Sequence, residues 1–133
     1  MKAALTALLL ADPDLQARIG SRINWGTPPA HAAGFPCLNL TMVSAPVTYT
    51  LDGEVETQSC TVQVDAWAQT ASEAEVLRWE VRSLLSGYRG TTGGVRFRGA
   101  FVRGSRDLDG RGLGDLGPLF GMSIDLSIRW NAA

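Results

Sequence analysis

Histidine, cysteine and serine are the residues that could support nucleophilic catalysis in this chain of 133 residues. His31 is the only histidine, and it lies in the proline- and alanine-rich loop GTPPAHAAGFP. A Ser-His-Asp or Cys-His arrangement needs the imidazole held against a nucleophile such as Cys37 or Cys60, and the sequence places no orienting group beside it. We therefore expect no catalytic residues and no enzymatic activity.

The segment over residues 105–118 is rich in glycine and aspartate, which suggests ion or phosphate binding. Asp107, Asp109 and Asp115 alternate with glycines as in a loose calcium loop, but the closing glutamate is missing at the required spacing. The run GRGLGDLG opens no helix and lacks the lysine-serine end of a nucleotide-binding loop. We therefore expect no metal or cofactor site here, and a flexible loop.

The densest basic region lies in the last third of the chain. It contains Arg89, Arg96, Arg98, Arg103, Arg106 and Arg111, with Phe97 and Phe101 interleaved. Modules that bind single-stranded nucleic acid place aromatic and basic side chains on one exposed strand face, whereas here the phenylalanines alternate with arginines. We predict that Phe97 and Phe101 are core residues. The arginines from Arg96 to Arg111 are expected to form an interface or to line a channel.

The charge is unevenly distributed along the chain. Residues 1–88 carry five bases and nine acids, a net charge of −4, whereas residues 89–133 carry seven bases and four acids, a net charge of +3. This asymmetry suggests two surfaces of opposite sign, which would suit head-to-tail association of copies or contact with a charged neighbour. Solvated surface charge without such a role is the alternative.

Hydrophobic periodicity predicts the elements that would position these residues. Helices are expected at 2–10, 13–19 and 72–86, and strands at 22–25, 37–43, 47–51, 54–68, 95–104 and 120–130. Asp52-Gly53 marks a hairpin turn, and the TASE run at 70–73 forms a capping box. The sum is one α+β domain over residues 1–133, with a mixed, mostly antiparallel sheet of five or six strands and two or three helices on one face.

Individual strand residues can be assigned to faces by alternation. Cys60 begins a series of small apolar residues at even positions up to Ala68, so that face is expected to be buried. Trp67 falls on the opposite parity, and Trp79 lies off the apolar stripe of its helix, so both are candidates for subunit contact. Cys37 and Cys60 are expected to be two buried thiols rather than a disulfide. No stretch approaches the roughly 20 apolar residues that cross a bilayer.

Four stretches follow one another along the chain: ADPDLQARIGSRINWG, FPCLNL, YTLDG and VQVDAWAQTASEAEVLRWEVRSLLSGYRG. They contain a short helix ending in glycine, a strand, a hairpin, and a strand running into an alanine-rich helix. In this order the chain resembles the tail-completion and tail-terminator family of long-tailed bacteriophages. The resemblance covers nearly the whole chain, but carries no residue assignments over 110–117, where such proteins vary most.

The resemblance implies a non-enzymatic virion component that assembles as a ring, typically of six subunits, at the head–tail joint of a phage or gene transfer agent particle. It would be made in the host cytoplasm, would end growth of the tail tube, and would join the tail to the head. Its partners would be other copies, the tail tube protein and the head connector or stopper protein, with DNA passing through the lumen without sequence-specific binding and no membrane. Two alternatives remain open: another head–tail connector or minor tail component, and a small ligand-binding or enzymatic α+β domain.

Overall fold

A computed structural model describes residues 1–26, 34–47, 49–51, 53–54, 57–109 and 119–133. The helices are α1 (Lys2–Ala11), α2 (Pro13–Ile19) and α3 (Ala71–Leu85). The strands are β1 (Ile23–Trp25), β2 (Cys37–Ser44), β3 (Tyr49–Thr50), β4 (Gly53–Glu54), β5 (Gln58–Ala68), β6 (Gly90–Thr92), β7 (Val95–Asp109) and β8 (Phe120–Ala132). This arrangement confirms the predicted α+β class.

Six of the described strands form one sheet in the order β1-β2-β5-β8-β7-β6. The β1–β2 pair is parallel, and the remaining neighbours are antiparallel, so the sheet is mixed and mostly antiparallel as predicted. β3 and β4 form a separate antiparallel hairpin. Gly53 there has φ +117°, a backbone conformation that glycine adopts without the strain of a Cβ atom.

The main core lies between one face of the sheet and the three helices. The predicted apolar face of β5, from Cys60 to Ala68, is buried at every even position. Leu126 and Ile128 of β8 belong to the same core cluster as Leu77 and Val81 of α3. Because burying one such side chain contributes about 1.5–3 kcal/mol, this cluster is the main source of the fold's stability.

The helix starts follow their capping residues. The Asp12 carboxylate accepts hydrogen bonds from the backbone N–H groups of Asp14 and Leu15, at 2.9 and 3.2 Å. The Thr70 hydroxyl accepts one from the N–H of Glu73 at 3.2 Å, so α3 begins one residue earlier than predicted. Such caps satisfy backbone donors that have no partner within the helix. Among the described helices, none has the length and apolar content needed to span a bilayer.

Several element boundaries differ from prediction. β6 was not predicted, because its three residues lie in the glycine-containing run YRGTTGG. β7 continues to Asp109 instead of ending at residue 104, so the predicted flexible loop at 105–118 begins as strand. The strand predicted over 54–68 is divided between β4 and β5. His31, Asp52, Arg111 and residues 110–118 lie outside the described residues.

Candidate interaction surfaces

Two β-bulges in β7 shape the face of the sheet that lies opposite the helices, which we call the outer sheet face. The pairing of β7 with β8 skips one residue between Phe97 and Gly99, and another between Val102 and Gly104. The inserted residues are Arg98 and Arg103, and both are exposed. A bulge adds one residue to a strand without a partner opposite, so the side chains between the two bulges change face relative to simple alternation, and the second bulge restores it.

This change of face overturns the prediction that Phe101 is a core residue. Phe101 lies opposite Ser127 on the outer sheet face and is 47% exposed, whereas Val102 packs against the main core. A Cβ atom on Gly99 would come within 2.9 Å of the Phe101 ring, so this glycine lets the ring lie close to the strand. Phe97, which precedes the first bulge, is buried as predicted.

Four exposed arginines follow this side of the sheet, and we call them the basic strip. They are Arg96, Arg98, Arg103 and Arg129. The ion pairs found among the described residues include none of them, while Arg106 donates to Asp125 at 3.1 Å. Aromatic and basic side chains therefore share one exposed face, contrary to the alternation that the sequence suggests.

β7 also has an edge that other strands leave mostly uncovered. β6 pairs with residues 95–97 only, and no other described strand pairs with the outer edge of β7 beyond them. The carbonyl of Ala100 accepts a hydrogen bond from the Gly87 N–H at 2.7 Å. Bulges and charged side chains on an edge strand oppose pairing with a second sheet. We therefore expect this region to bind partners through side chains rather than through strand addition.

Trp67 occupies a different environment from the one predicted. It is only 7% exposed, although its parity on β5 matches that of the polar residues. It belongs to a second apolar cluster on the outer sheet face with Cys37, Leu119, Phe35 and Leu108. A Cβ atom on Gly121, which lies opposite Trp67, would come within 2.8 Å of the indole ring, so the ring fits closely over this glycine. The prediction that Trp67 is exposed is therefore wrong.

A row of polar residues crosses the outer sheet face beside this cluster. Asn39, Asp65 and Ser123 lie opposite one another on β2, β5 and β8. Asp65 is largely buried, and both of its carboxylate oxygens accept hydrogen bonds from the Gln63 amide, at 2.9 and 3.1 Å. These bonds offset part of the cost of removing a carboxylate from water. The outer sheet face is thus partly buried within the domain.

Trp79 lies outside the main core, as predicted. It is 50% exposed on α3, and the guanidinium groups of Arg78 and Arg82 lie 5.3 and 5.2 Å from the centre of an indole ring. Beside it, a groove of about 510 Å³ runs between α3 and the start of α2. We call it the helix groove, and it is lined by Asp12, Asp14, Val76, Trp79, Glu80, Ser83 and Leu84. The helix layer therefore presents an aromatic surface of its own.

The two cysteines are free and buried, which confirms the prediction of two thiols. They lie on opposite faces of the sheet, because Cys60 belongs to the main core and Cys37 to the cluster around Trp67. Burial raises the pKa of Cys37 from 9.0 to about 11, although the positive charge of Arg22 opposes part of the shift. Burial also raises the pKa of Cys60.

We expect these thiols to react with maleimides at pH 8 only after the protein unfolds.

Because the pKa of folded Cys37 is raised, unfolding releases a proton at high pH. The corresponding stability is fully present below pH 9 and is lost as the pH rises towards about 11. Urea denaturation across this range measures the loss, and Cys37→Ala should show a shallower pH dependence. Equal dependence in both proteins would contradict this assignment.

The remaining predicted interface residues are placed as follows. Arg96, Arg98 and Arg103 are exposed along β7, and Arg106 is exposed but paired with Asp125. Trp79 lies on the helix layer, where its neighbour Arg78 donates a hydrogen bond to the Ser105 hydroxyl of β7 at 3.2 Å. No group of three or more side chains suited to metal binding occurs in the part of the chain that the structure describes.

The chain is a two-layer α+β fold with exposed arginines on the sheet and an exposed tryptophan on the helices. The family model for Tail completion protein gp17 matches residues 3–114. The chain therefore belongs to this family, which confirms the resemblance found in the sequence. It is a structural component of a phage-type tail and of the virion.

Solved structures share this fold. A chain from the virion of a native gene transfer agent particle superimposes with a TM-score of 0.76 at 16% identity, covering 99% of this chain and 95% of that chain. A second solved structure superimposes with a TM-score of 0.58 at 19% identity, covering 99% of this chain and 92% of that chain. No curated protein sequence matches the chain.

Proposed function

We propose that copies of this chain close into a ring at the joint between tail and head, where the ring ends growth of the tail tube. The observation that carries the proposal is the family match over residues 3–114. Its support from the structure is the presence of exposed side chains on both layers, Trp79 on the helices and the basic strip on the sheet. A subunit in a cyclic ring uses two different surfaces, one for each neighbour.

The ring would contain six copies and would contact the tail tube protein on one side and the head connector or stopper protein on the other. Duplex DNA would pass through its lumen without sequence-specific contacts. The basic strip is available to an acidic surface of a neighbour or to phosphates, because its arginines have no ion-pair partner among the described residues. The proposal includes no bond made or broken by this chain.

Deletion of the gene from a genome that produces the particle tests this function. We expect tails of uncontrolled length and heads without attached tails, since nothing would cap the tube or join it to the head. Electron microscopy of the lysate measures both, and expression of the intact chain from a plasmid should restore normal particles. Normal tails joined to heads in the deletion strain would refute the proposal.

The position in the particle requires a second measurement. Cryo-electron microscopy of particles carrying a tagged chain should place the tag in a ring between tube and head. Density at the distal tail tip, or along the tube, would instead assign the chain to another tail component. The tag is best placed after Ala133, because this residue is exposed and follows the last strand.

A further inference from the structure

One aromatic side chain of β7 is exposed on the outer sheet face. Phe101 is 47% exposed, and the two arginines inserted by the bulges, Arg98 and Arg103, lie on either side of it in sequence. We call these three residues the aromatic knob. An exposed phenylalanine between two guanidinium groups that form no ion pair with any described residue suits a partner that has an apolar depression with carboxylates at its rim.

The helix groove of the same chain has this composition. Its apolar lining includes Val76, Trp79 and Leu84, and Val76 and Trp79 are both substantially exposed. Asp14 also lines it, and the ion pairs among the described residues leave this carboxylate without a partner. Glu80 lines the groove as well, but it already accepts a hydrogen bond from Arg18 at 2.6 Å.

We propose that the aromatic knob of one copy occupies the helix groove of the next copy in the ring. Phe101 would pack against Val76 and Trp79, and Arg98 or Arg103 would pair with Asp14. This inference rests on the proposed function, because it assumes that copies assemble with one another. It adds the surfaces through which they do so.

A second copy is the occupant that the charges favour. The aromatic knob carries Arg98 and Arg103, and the α2 end of the helix groove carries Asp12 and Asp14. At the α3 side of the groove Glu80 is paired with Arg18, and Arg78 and Arg82 stack on Trp79, so the complementary charges are those of the α2 end. Electrostatic complementarity of this kind fixes orientation and excludes wrong pairings. A different acidic protein could bind the aromatic knob, but the helix groove would then have no assigned partner.

The positions of the two surfaces also suit a ring. The helix groove lies in the helix layer, and the aromatic knob lies on the face of the sheet that the helices leave uncovered. The Phe101 ring of one copy therefore faces away from its own groove, whereas the ring of a neighbouring copy can reach it. Such a heterologous contact propagates from copy to copy, and closes into a ring when the rotation per copy divides a full turn.

Cysteine cross-linking in assembled particles tests the contact. Ser127→Cys and Ser83→Cys place one thiol beside the knob and one at the groove and leave Phe101 in place, because Ser127 is partly exposed opposite Phe101 and Ser83 is exposed. The native cysteines are buried and give little background. After treatment of particles with a short bismaleimide, the double variant should form a ladder of covalent oligomers on denaturing gels. Each single variant, and Ser127→Cys combined with Ala7→Cys on α1, should remain monomeric.

The outcomes separate this inference from the proposed function. If the double variant is present in particles at the head–tail joint but forms no ladder, the contact is wrong and the ring function stands. A ladder of equal strength in the Ala7→Cys control would also overturn it. If the intact chain is missing from particles altogether, the proposed function itself fails.

Two substitutions of Phe101 test whether the loss of the aromatic contact, and not misfolding, reduces assembly. Phe101→Asp should reduce the yield of complete particles by about tenfold or more, as expected when a central aromatic contact is lost. Phe101→Leu should retain most of the yield, since it preserves an apolar side chain. Both proteins should fold, because Phe101 lies outside the core, and circular dichroism checks this. Normal yield from a folded Phe101→Asp protein would overturn the contact.

Discussion

Replacing Trp67 by alanine is expected to lower the free energy of unfolding by about 3–5 kcal/mol, the usual cost of deleting a buried aromatic side chain. The indole is 7% exposed and packs with Cys37 and Leu119 over Gly121. Gly121, which lies beneath the ring, has no side chain to fill the space, and its strand is fixed between β5 and β7. The substitution would therefore leave a cavity on the outer sheet face.

Urea denaturation followed by far-ultraviolet circular dichroism measures this loss, and Trp79→Ala is the matched control. Trp79 is 50% exposed and lies outside both core clusters, so its removal should change the stability by about 0.5 kcal/mol or less. The two tryptophans are separated by twelve positions and belong to adjoining elements. Equal losses for the two substitutions would contradict the burial described here.

The contrast between these tryptophans shows what alternation in a sequence can predict. The even positions from Cys60 to Ala68 identify one buried face of β5, and the structure confirms it. Parity alone cannot show that the opposite face of a central strand is also covered. Leu108 and Leu119, which are remote in sequence, pack with Trp67 there, so the burial of this ring depends on tertiary contacts.

The outer sheet face was harder to predict because of the bulges. Alternation along β7 holds from Val95 to Phe97 and then fails, since Arg98 and Arg103 are each inserted without a partner. Nothing in the local sequence marks an arginine as a bulge residue, although Gly99 and Gly104 follow the two insertions directly and glycines in strands often accompany bulges. The exposure of the arginines was predictable, whereas their grouping with Phe101 was not.

The resemblance to tail-completion proteins predicted the class of protein, but it did not predict which surfaces bind partners. The motifs that carry it are a capped helix, a hairpin and the strand before α3, and these specify a scaffold. Contacts between copies depend on exposed side chains, which a scaffold leaves free to vary. The assignment of knob and groove therefore required the coordinates of Phe101 and of the α2–α3 surface.

Reversing the charge of Arg96 and Arg98 together is expected to abolish particle assembly. Both arginines are exposed, and neither forms an ion pair among the described residues, so the reversal should leave the fold intact. At the surface of a partner, two reversed charges replace attraction by repulsion, and like charges at an interface cost several kcal/mol. The measurement is the titre of infectious or gene-transferring particles from a deletion strain that expresses the Arg96→Glu, Arg98→Glu chain.

Two control variants test whether the defect comes from the charge of the basic strip itself. Arg96→Lys with Arg98→Lys keeps the positive charge and should retain most of the titre, unless bidentate hydrogen bonding by guanidinium is required. Arg78→Glu with Arg82→Glu reverses two arginines that stack on Trp79 in the helix layer, and should not lower the titre. Because those two arginines flank the helix groove, their reversal makes the groove more acidic, and the proposed contact with Arg98 or Arg103 would be strengthened. A normal titre from the Arg96→Glu, Arg98→Glu chain would show that the basic strip takes no part in assembly.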